Sequence, residues 1–298
     1  MKPDPLRRPL PHPPPMDEGH LPVPPLSAEE LLQVAAFLYQ RTGMRFGEAK
    51  RYYIDRRVAE RIVRTGTHSA ASYLSLLRTD DREAENLINS FTVNETYFYR
   101  EDHQLRCLSR SILPELIQSR QPGDLIRLWS VPCATGEEPY SIALWLLENW
   151  PIVDAYHVEI VGSDIDTRVL AAAADGIYGE RSLSRLPADV LRRYFEPAID
   201  GGRSLIADLR ESVKFTQANL VDAASMARQG RFDVIFCRNV LIYFDDASRQ
   251  AAVRTLDEAL RPGGFLCLGH TESMARLSDR FTMRRFDDAI VYQKPQER

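Results

Sequence analysis

A chain of 298 residues with 38 Lys and Arg against 42 Asp and Glu can hold one large core or one core plus a smaller domain. Its formal net charge of -4 excludes a surface given over as a whole to nucleic acid or anionic lipid, so any basic partner site must be local. Cys107, Cys133, Cys237 and Cys267 form no CxxC pair, and the six histidines show no ligand spacing, so neither a zinc site nor a disulfide framework is indicated and reduced thiols are expected.

No apolar run approaches the roughly 18 residues needed to span a bilayer, and no apolar segment follows the N-terminal charges, so a cytoplasmic protein is expected. Ten prolines between Pro3 and Pro25 keep residues 1–25 extended with little to bury, and this stretch reads as a disordered tail. The texture changes at Ser27. Ser27-Ala-Glu-Glu30 is a capping-box pattern, followed by Leu31, Leu32, Val34, Ala35 and Leu38 at helical spacing.

Between Phe46 and Thr65, Tyr53, Ile54, Val58 and Ile62 recur every three or four residues, with Lys50, Arg51, Arg56, Arg57, Arg61 and Arg64 between them. One face of this helix is apolar and the other strongly basic. The basic face is either a solvated surface with ion pairs to Asp55 and Glu60 or a docking surface for an acidic partner. Ala70 to Leu77 and Glu83 to Phe91 give two further amphipathic segments, so residues 26–92 read as a small all-helical domain. Thr92, Asn94 and Thr96, which favour caps and turns, then interrupt the pattern, and residues 93–120 read as linker or site.

From Asp124 strands alternate with helices. Leu125 to Val131 reads as a strand, Pro132 to Glu138 as a turn, and Pro139 sits where a first helical turn tolerates proline. Val158 to Gly162 is a second strand ending at Ser163-Asp-Ile-Asp166, with a helix from Thr167. Val213 to Thr216 ends at Asn219-Leu220, and Asp233 to Cys237 is a fourth strand. Pro262-Gly-Gly264 turns into Phe265 to Leu268, and Phe281 to Arg285 with Ala289 to Gln293 form a terminal hairpin. This alternation implies an α/β fold on a parallel sheet with right-handed crossovers and one added antiparallel strand, spanning residues 121–298.

Four strands end in polar residues at Gly136-Glu137-Glu138, Asp164, Asn219 and Arg238-Asn239, where open α/β sheets bind ligands. The Gly136 turn would let backbone approach a ligand closely, and Asp164 stands where dinucleotide folds place an acid for ribose hydroxyls. A helix cap for Asp164, and helix-dipole stabilisation for Glu137 and Glu138, are the plainer alternatives. Phosphate fits poorly, because the first turn lacks G-x-G-x-x-G and sets two carboxylates near a helix N-terminus. S-adenosylmethionine has a ribose, an ammonium and a sulfonium but no phosphate, and suits these ends better.

Asn94-Glu-Thr-Tyr-Phe-Tyr-Arg100, Thr135-Gly-Glu-Glu-Pro-Tyr-Ser141, Ser163-Asp-Ile-Asp166, Phe236-Cys-Arg-Asn239 with Ile242-Tyr-Phe244, and Arg261-Pro-Gly-Gly264 through Gly269-His-Thr-Glu272 together carry a resemblance. From about Leu31 to the C-terminus the chain resembles the chemotaxis receptor glutamate O-methyltransferases. The resemblance implies a Rossmann-like S-adenosylmethionine-dependent methyltransferase sheet with an N-terminal all-helical domain and a small β-subdomain at about 195–215. It implies methyl transfer to glutamate side chains of chemoreceptors in chemotaxis, with S-adenosylhomocysteine as product.

By the same resemblance Asn94, Thr96 and Arg100 reach the cofactor and active-site wall from the 93–120 segment. Of Glu137 and Glu138 the second is the favoured cofactor contact; Asp164 holds the ribose, Asn219 and Leu220 border the adenine, and Arg238 and Asn239 lie under the cofactor. Arg100 and Tyr243 are the family's pair near the transferred methyl. Tyr99 stands where the family usually has Phe, and Pro132 and Ala134 alter the first loop. The basic helix gains an acidic receptor bundle as partner, contacted by Arg56, Arg57, Arg61 and Arg64. Ile199-Asp-Gly-Gly-Arg-Ser204 looks shorter than the loop of members that bind a receptor's C-terminal tail, so dependence on that tail is not expected. A methyltransferase for small carboxylic acids would leave the basic domain unexplained, and a silent cofactor-binding module would leave Arg100 and Tyr243 without purpose.

Overall fold

The computed structural model describes residues 23–47, 50–198, 201–274 and 278–296; residues 1–22 of the proline-rich segment lie outside the described residues. Helices α1 (Ala28–Thr42), α2 (Arg51–Thr65), α3 (Ala70–Leu77) and α4 (Asp81–Phe91) form the N-terminal unit. The capping box starts α1: Glu30 N donates to Ser27 Oγ at 3.3 Å, and Ser27 N donates to the Glu30 carboxylate at 2.8 Å. Val34, Leu38, Ile54, Val58, Ile62, Tyr73, Leu87 and Phe91 bury into one apolar cluster. Each such side chain contributes on the order of 1.5–3 kcal/mol on leaving water.

The segment expected as linker is largely helix packed on the sheet. After an irregular run to Glu101, α5 (Asp102–Cys107), a π-helical turn at Leu108–Ile112 and α6 (Leu113–Leu116) follow one another. Leu105, Leu108, Ile112 and Leu113 share a core with Ile126, Leu128 and Phe265. Leu105, Leu108 and Ile112, three and four residues apart, make one apolar helical stripe.

The sheet is built from β1 (Leu125–Ser130), β2 (His157–Asp164), β6 (Val213–Gln217), β7 (Phe232–Cys237), β8 (Leu260–Leu268), β9 (Thr282–Arg285) and β10 (Ile290–Gln293), in the order β6-β2-β1-β7-β8-β10-β9. The first five are parallel, and β10 enters antiparallel to both β8 and β9. Successive residues face opposite layers: Leu128, Val234 and Phe236 enter one core cluster, Trp129, Ile235 and Cys237 the other. Helices α7 (Glu137–Asn149), α8 (Thr167–Asp175), α9 (Glu180–Leu183), α10 (Ala188–Tyr194), α11 (Ala207–Glu211), α12 (Ala223–Ala227) and α13 (Asp246–Ala259) complete the fold.

Two boundaries differ from expectation. Pro262-Gly-Gly264 is an irregularity inside β8, which already pairs with β7 at Leu260 and resumes at Phe265. The small antiparallel sheet, β3 (Ile177–Tyr178), β5 (Arg203–Leu205) and β4 (Phe195–Pro197), takes its first strand from well before residue 195, while Val213 already belongs to the main sheet. A two-residue strand leaves no periodicity to read in sequence.

The helical unit closes over the ends of the parallel strands. Met44 forms an antiparallel bridge with Phe244, Asn219 Nδ2 donates to Arg41 O at 2.7 Å, and Tyr39 Oη donates to Asp245 at 3.3 Å. No described helix is long and apolar enough to cross a membrane.

Candidate functional site

A cavity of about 490 Å³ lies where the parallel strands end, within the ~300–1,000 Å³ of small-molecule sites. Asn94, Asp164, Asn219, Leu220, Asn239 and Tyr243 line it, and Arg45, Lys50, Tyr52 and Tyr53 roof it from the helical unit. A smaller cavity of about 60 Å³ adjoins it, lined by Thr96, Arg100, Glu138 and Arg238 and sharing Asn239 and Ala134. The residues expected at the site thus gather around two neighbouring spaces that share lining residues, Glu137 excepted.

Asp164 closes β2 and is 3% exposed. Its Oδ2 accepts from Ala134 N at 2.9 Å and its Oδ1 from Asp166 N at 3.0 Å. Burial raises its pKa to about 6, with these backbone donors pulling against the shift and Asp166 adding to it. Beside it Asp166 accepts from Thr92 Oγ1 at 2.6 Å and Asn94 Nδ2 at 3.3 Å, which fastens the segment after α4 to the end of β2.

Arg238, at the end of β7, has a side chain only 3% exposed. Its Nη1 donates to Glu138 at 2.7 Å, and its Nη2 donates to Arg100 O at 2.8 Å and approaches Glu101 at 3.2 Å. Burial raises the pKa of Glu138 against the pull of Arg238; at Glu101 burial also raises it, but Arg238 and His270 outweigh burial and hold it low. The guanidinium is therefore a clamp between three segments, with its Nη atoms already engaged by protein.

Arg100 donates from Nη1 to Glu95 O at 2.8 Å and stacks over Tyr97 at 5.8 Å. Tyr243 lies across the shared wall on a 3₁₀ turn, Leu241–Tyr243. Burial raises its hydroxyl pKa while the charge of Arg100 acts the other way, so the hydroxyl stays protonated and able to donate at neutral pH. Ala134 (φ 47°) and Asn239 (φ 59°) line both cavities, and Tyr99 (φ 57°) and Glu101 (φ 55°) flank Arg100 in sequence. Such backbone is uncommon without glycine and gathers at functional sites.

Several of the expected residues are engaged by the protein itself. Glu137 faces away from both cavities and accepts from Thr135 Oγ1 at 2.6 Å and Ser182 Oγ at 2.7 Å, because consecutive residues at a helix start point about 100° apart. Gly136, at φ 92°, is packed against protein on its Cα side: a Cβ there would stand 2.9 Å from Ala173 Cβ and 3.1 Å from Tyr178 Oη. The Asn219 amide is engaged by Arg41 O, and its Oδ1 accepts from Val221 N at 3.2 Å. Arg61 is not a free surface cation, since its Nε donates to Glu83 at 2.8 Å and its Nη2 pairs with the same carboxylate. Arg56 pairs with Glu60 at 3.2 Å, Arg57 lies 4.9 Å over the Tyr53 ring, and Arg64 is exposed.

Sequence reasoning gave Glu272 no role of its own. It accepts from four main-chain amides, three of them in the turn that carries Tyr243. The only signal was its place at the end of the Gly269-His-Thr-Glu272 motif.

Comparison with known proteins matches residues 29–92 to the model described as "CheR methyltransferase, all-alpha domain" and residues 94–290 to "CheR methyltransferase, SAM binding domain". The chain is 49% identical over 261 residues to Chemotaxis protein methyltransferase 2 of Vibrio cholerae, covering 87% of this chain and 90% of that one. It is 37% identical to the Chemotaxis protein methyltransferase of Klebsiella aerogenes, covering 87% and 88% of the two chains. It is 35% identical to that of Escherichia coli, covering 87% and 89%.

Proposed function

The chain belongs to the CheR methyltransferase family, and on that premise we propose that it transfers methyl groups from S-adenosylmethionine to glutamate side-chain carboxylates of chemoreceptors. The observation that carries the reading is the pair of neighbouring cavities at the parallel strand ends, with Asp164 lining one and Arg100 the other. Carboxylates at these ends and the absence of a phosphate-binding glycine pattern suit a cofactor with a ribose and positive charge.

S-adenosylmethionine supplies a methyl activated on sulfur and leaves as S-adenosylhomocysteine. Asp164 accepts from the ribose hydroxyls, Asn219 and Leu220 border the adenine, and Asn94, Thr96, Arg100, Glu138 and Asn239 form the rest of the cofactor wall, with Arg238 beneath it. A free glutamate has a pKa near 4.3, so the acceptor is ionised at neutral pH and needs no general base. Catalysis rests on alignment and on keeping water out, because opposite charges that neutralise each other are better solvated apart than at the point of transfer. Arg100 orients the carboxylate, and the protonated Tyr243 hydroxyl donates to it.

Arg56, Arg57 and Arg64 on α2 offer charge to an acidic receptor bundle, with Arg61 holding α2 to α4 beneath them. The protein acts in the cytoplasm, without need of the receptor's C-terminal tail; Ile199 and Asp200 of the loop that bears on this lie outside the described residues. Incubation with methyl-labelled S-adenosylmethionine and receptor-containing membranes, then mild alkali to release methanol from esters, tests the reading. Label in volatile methanol supports it. Label only on added small acids, or none at all, overturns it.

A further inference from the structure

The Glu272 carboxylate stands outside the proposed cofactor contacts, yet four main-chain donors converge on it. Oε2 accepts from Asn239 N at 2.7 Å and Gly269 N at 2.9 Å, and Oε1 from Leu241 N at 2.8 Å and Val240 N at 2.9 Å. Three of these donors are consecutive. Consecutive amides reach one anion only where the chain turns, and Asn239, at φ 59°, makes that turn.

Val240 and Leu241 stand at the start of the 3₁₀ turn that ends at Tyr243, where amides have no preceding carbonyl to bond. Elsewhere the chain solves this locally, as Asp245 does for α13 by accepting from Ser248 N at 2.9 Å. Here the acceptor comes from the end of the neighbouring strand, so Glu272 ties the loop after β8 to the loop after β7. The fit is close: a Cβ on Gly269 would stand 2.8 Å from Glu272 Oε2 and 3.1 Å from Asn239 N. Tyr243 itself is held by backbone bonds from its N to Val240 O at 3.0 Å and to its O from Arg45 N at 3.4 Å, and the first lies inside the turn that Glu272 anchors.

We infer that Glu272 is a positioning residue for methyl transfer: its carboxylate holds the Asn239–Tyr243 turn so that Asn239 faces the cofactor and Tyr243 faces the incoming carboxylate. The inference rests on the function proposed above. Glu272→Gln keeps the volume but turns an amide NH₂ toward two N–H donors, whereas Glu272→Asp keeps the charge and shortens the reach.

The test pairs steady-state methylation of receptor membranes with amide hydrogen exchange on the full chain. In Glu272→Gln the amides of Asn239, Val240, Leu241 and Gly269 exchange faster while those of β7 stay protected. Its kcat falls on the order of tenfold to a hundredfold with KM for receptor changed less than about threefold, because misplacement acts on transfer and not on docking. Glu272→Asp recovers part of the lost kcat. A kcat within about twofold of wild type, a fall matched by an equal loss of folded protein, or unchanged exchange at the four amides overturns the inference. If the wild-type protein itself methylates no receptor, the underlying function has failed instead, and the exchange result still decides whether Glu272 holds the turn.

Discussion

Arg238 Nη2 donates to the main-chain carbonyl of Arg100 at 2.8 Å, so a side chain at the end of β7 holds the backbone of the residue proposed to orient the acceptor. The same guanidinium separates Glu138 and Glu101, whose side chains are 14% and 11% exposed. Replacing it by Met leaves two carboxylates facing each other with little water. Removal of one partner from such a buried cluster costs roughly 3–5 kcal/mol. Urea unfolding of Arg238→Met should show a loss of that order. Arg238→Lys should fall between, since one ammonium cannot reach three acceptors as a planar fork does. An unchanged midpoint for the Met variant would show that the clamp is not structural.

Asp164, proposed above to hold the ribose, should give cofactor binding a pH dependence. With its pKa raised to about 6 by burial, the free protein carries a neutral acid below that pH and a carboxylate above it. The raised pKa means that the free chain loses stabilisation as pH rises from the unfolded value of about 3.9 through about 6. Ribose hydroxyls and a cationic cofactor prefer the ionised form, so bound cofactor pulls the pKa down. Affinity for S-adenosylhomocysteine, measured by calorimetry, should therefore rise with pH through about 6 and level off above it. Asp164→Asn should bind on the order of tenfold more weakly at neutral pH and lose this dependence. Equal affinity in both proteins would remove Asp164 from the ribose.

The arginines of α2 divide between a buried ion pair and an exposed set proposed to dock receptor. Arg61 sits 13% exposed against Glu83, which also accepts from Tyr73 Oη at 2.7 Å, so Arg61→Ala should cost roughly 3 kcal/mol of stability. Arg64 is exposed, and the Arg56–Glu60 pair is a surface i,i+4 contact worth little to the fold. Reversing both charges, Arg56→Glu with Arg64→Glu, should leave thermal unfolding near wild type while raising KM for receptor severalfold at low salt. The wild-type rate should fall with salt until the two proteins converge. A double variant with wild-type KM at low salt would move docking elsewhere.

The strands and their polar ends were legible because buried parallel strands are continuous apolar runs and their interruption at Asp164 or Arg238 is abrupt. What escaped depends on partners distant in sequence. Arg61 reads as surface until Glu83 is brought 22 residues back onto it, and Glu272 reads as an end of strand until β7 and β8 lie side by side. Spacing alone does not separate Glu137 from Glu138, and only the family resemblance favours the second. Only the first turn of α7 decides that Glu138 meets Arg238 while Glu137 meets Ser182.

The proposed pair at the transferred methyl makes the sharpest kinetic claim. Arg100 lines the smaller cavity and Tyr243 the larger, on either side of the wall formed with Ala134 and Asn239. Groups that orient the acceptor act on transfer, whereas a group that grips cofactor and transition state equally changes affinity alone. Tyr243→Phe deletes one hydroxyl and should lower kcat on the order of tenfold with cofactor affinity close to wild type. Arg100→Ala should lower kcat further, by a factor on the order of a hundred, because it removes a charge-assisted contact to the acceptor. Single-turnover rates with prebound S-adenosylmethionine separate these effects from receptor docking. If Tyr243→Phe transfers at the wild-type rate, its hydroxyl does not face the carboxylate and the acceptor enters along Arg100 alone.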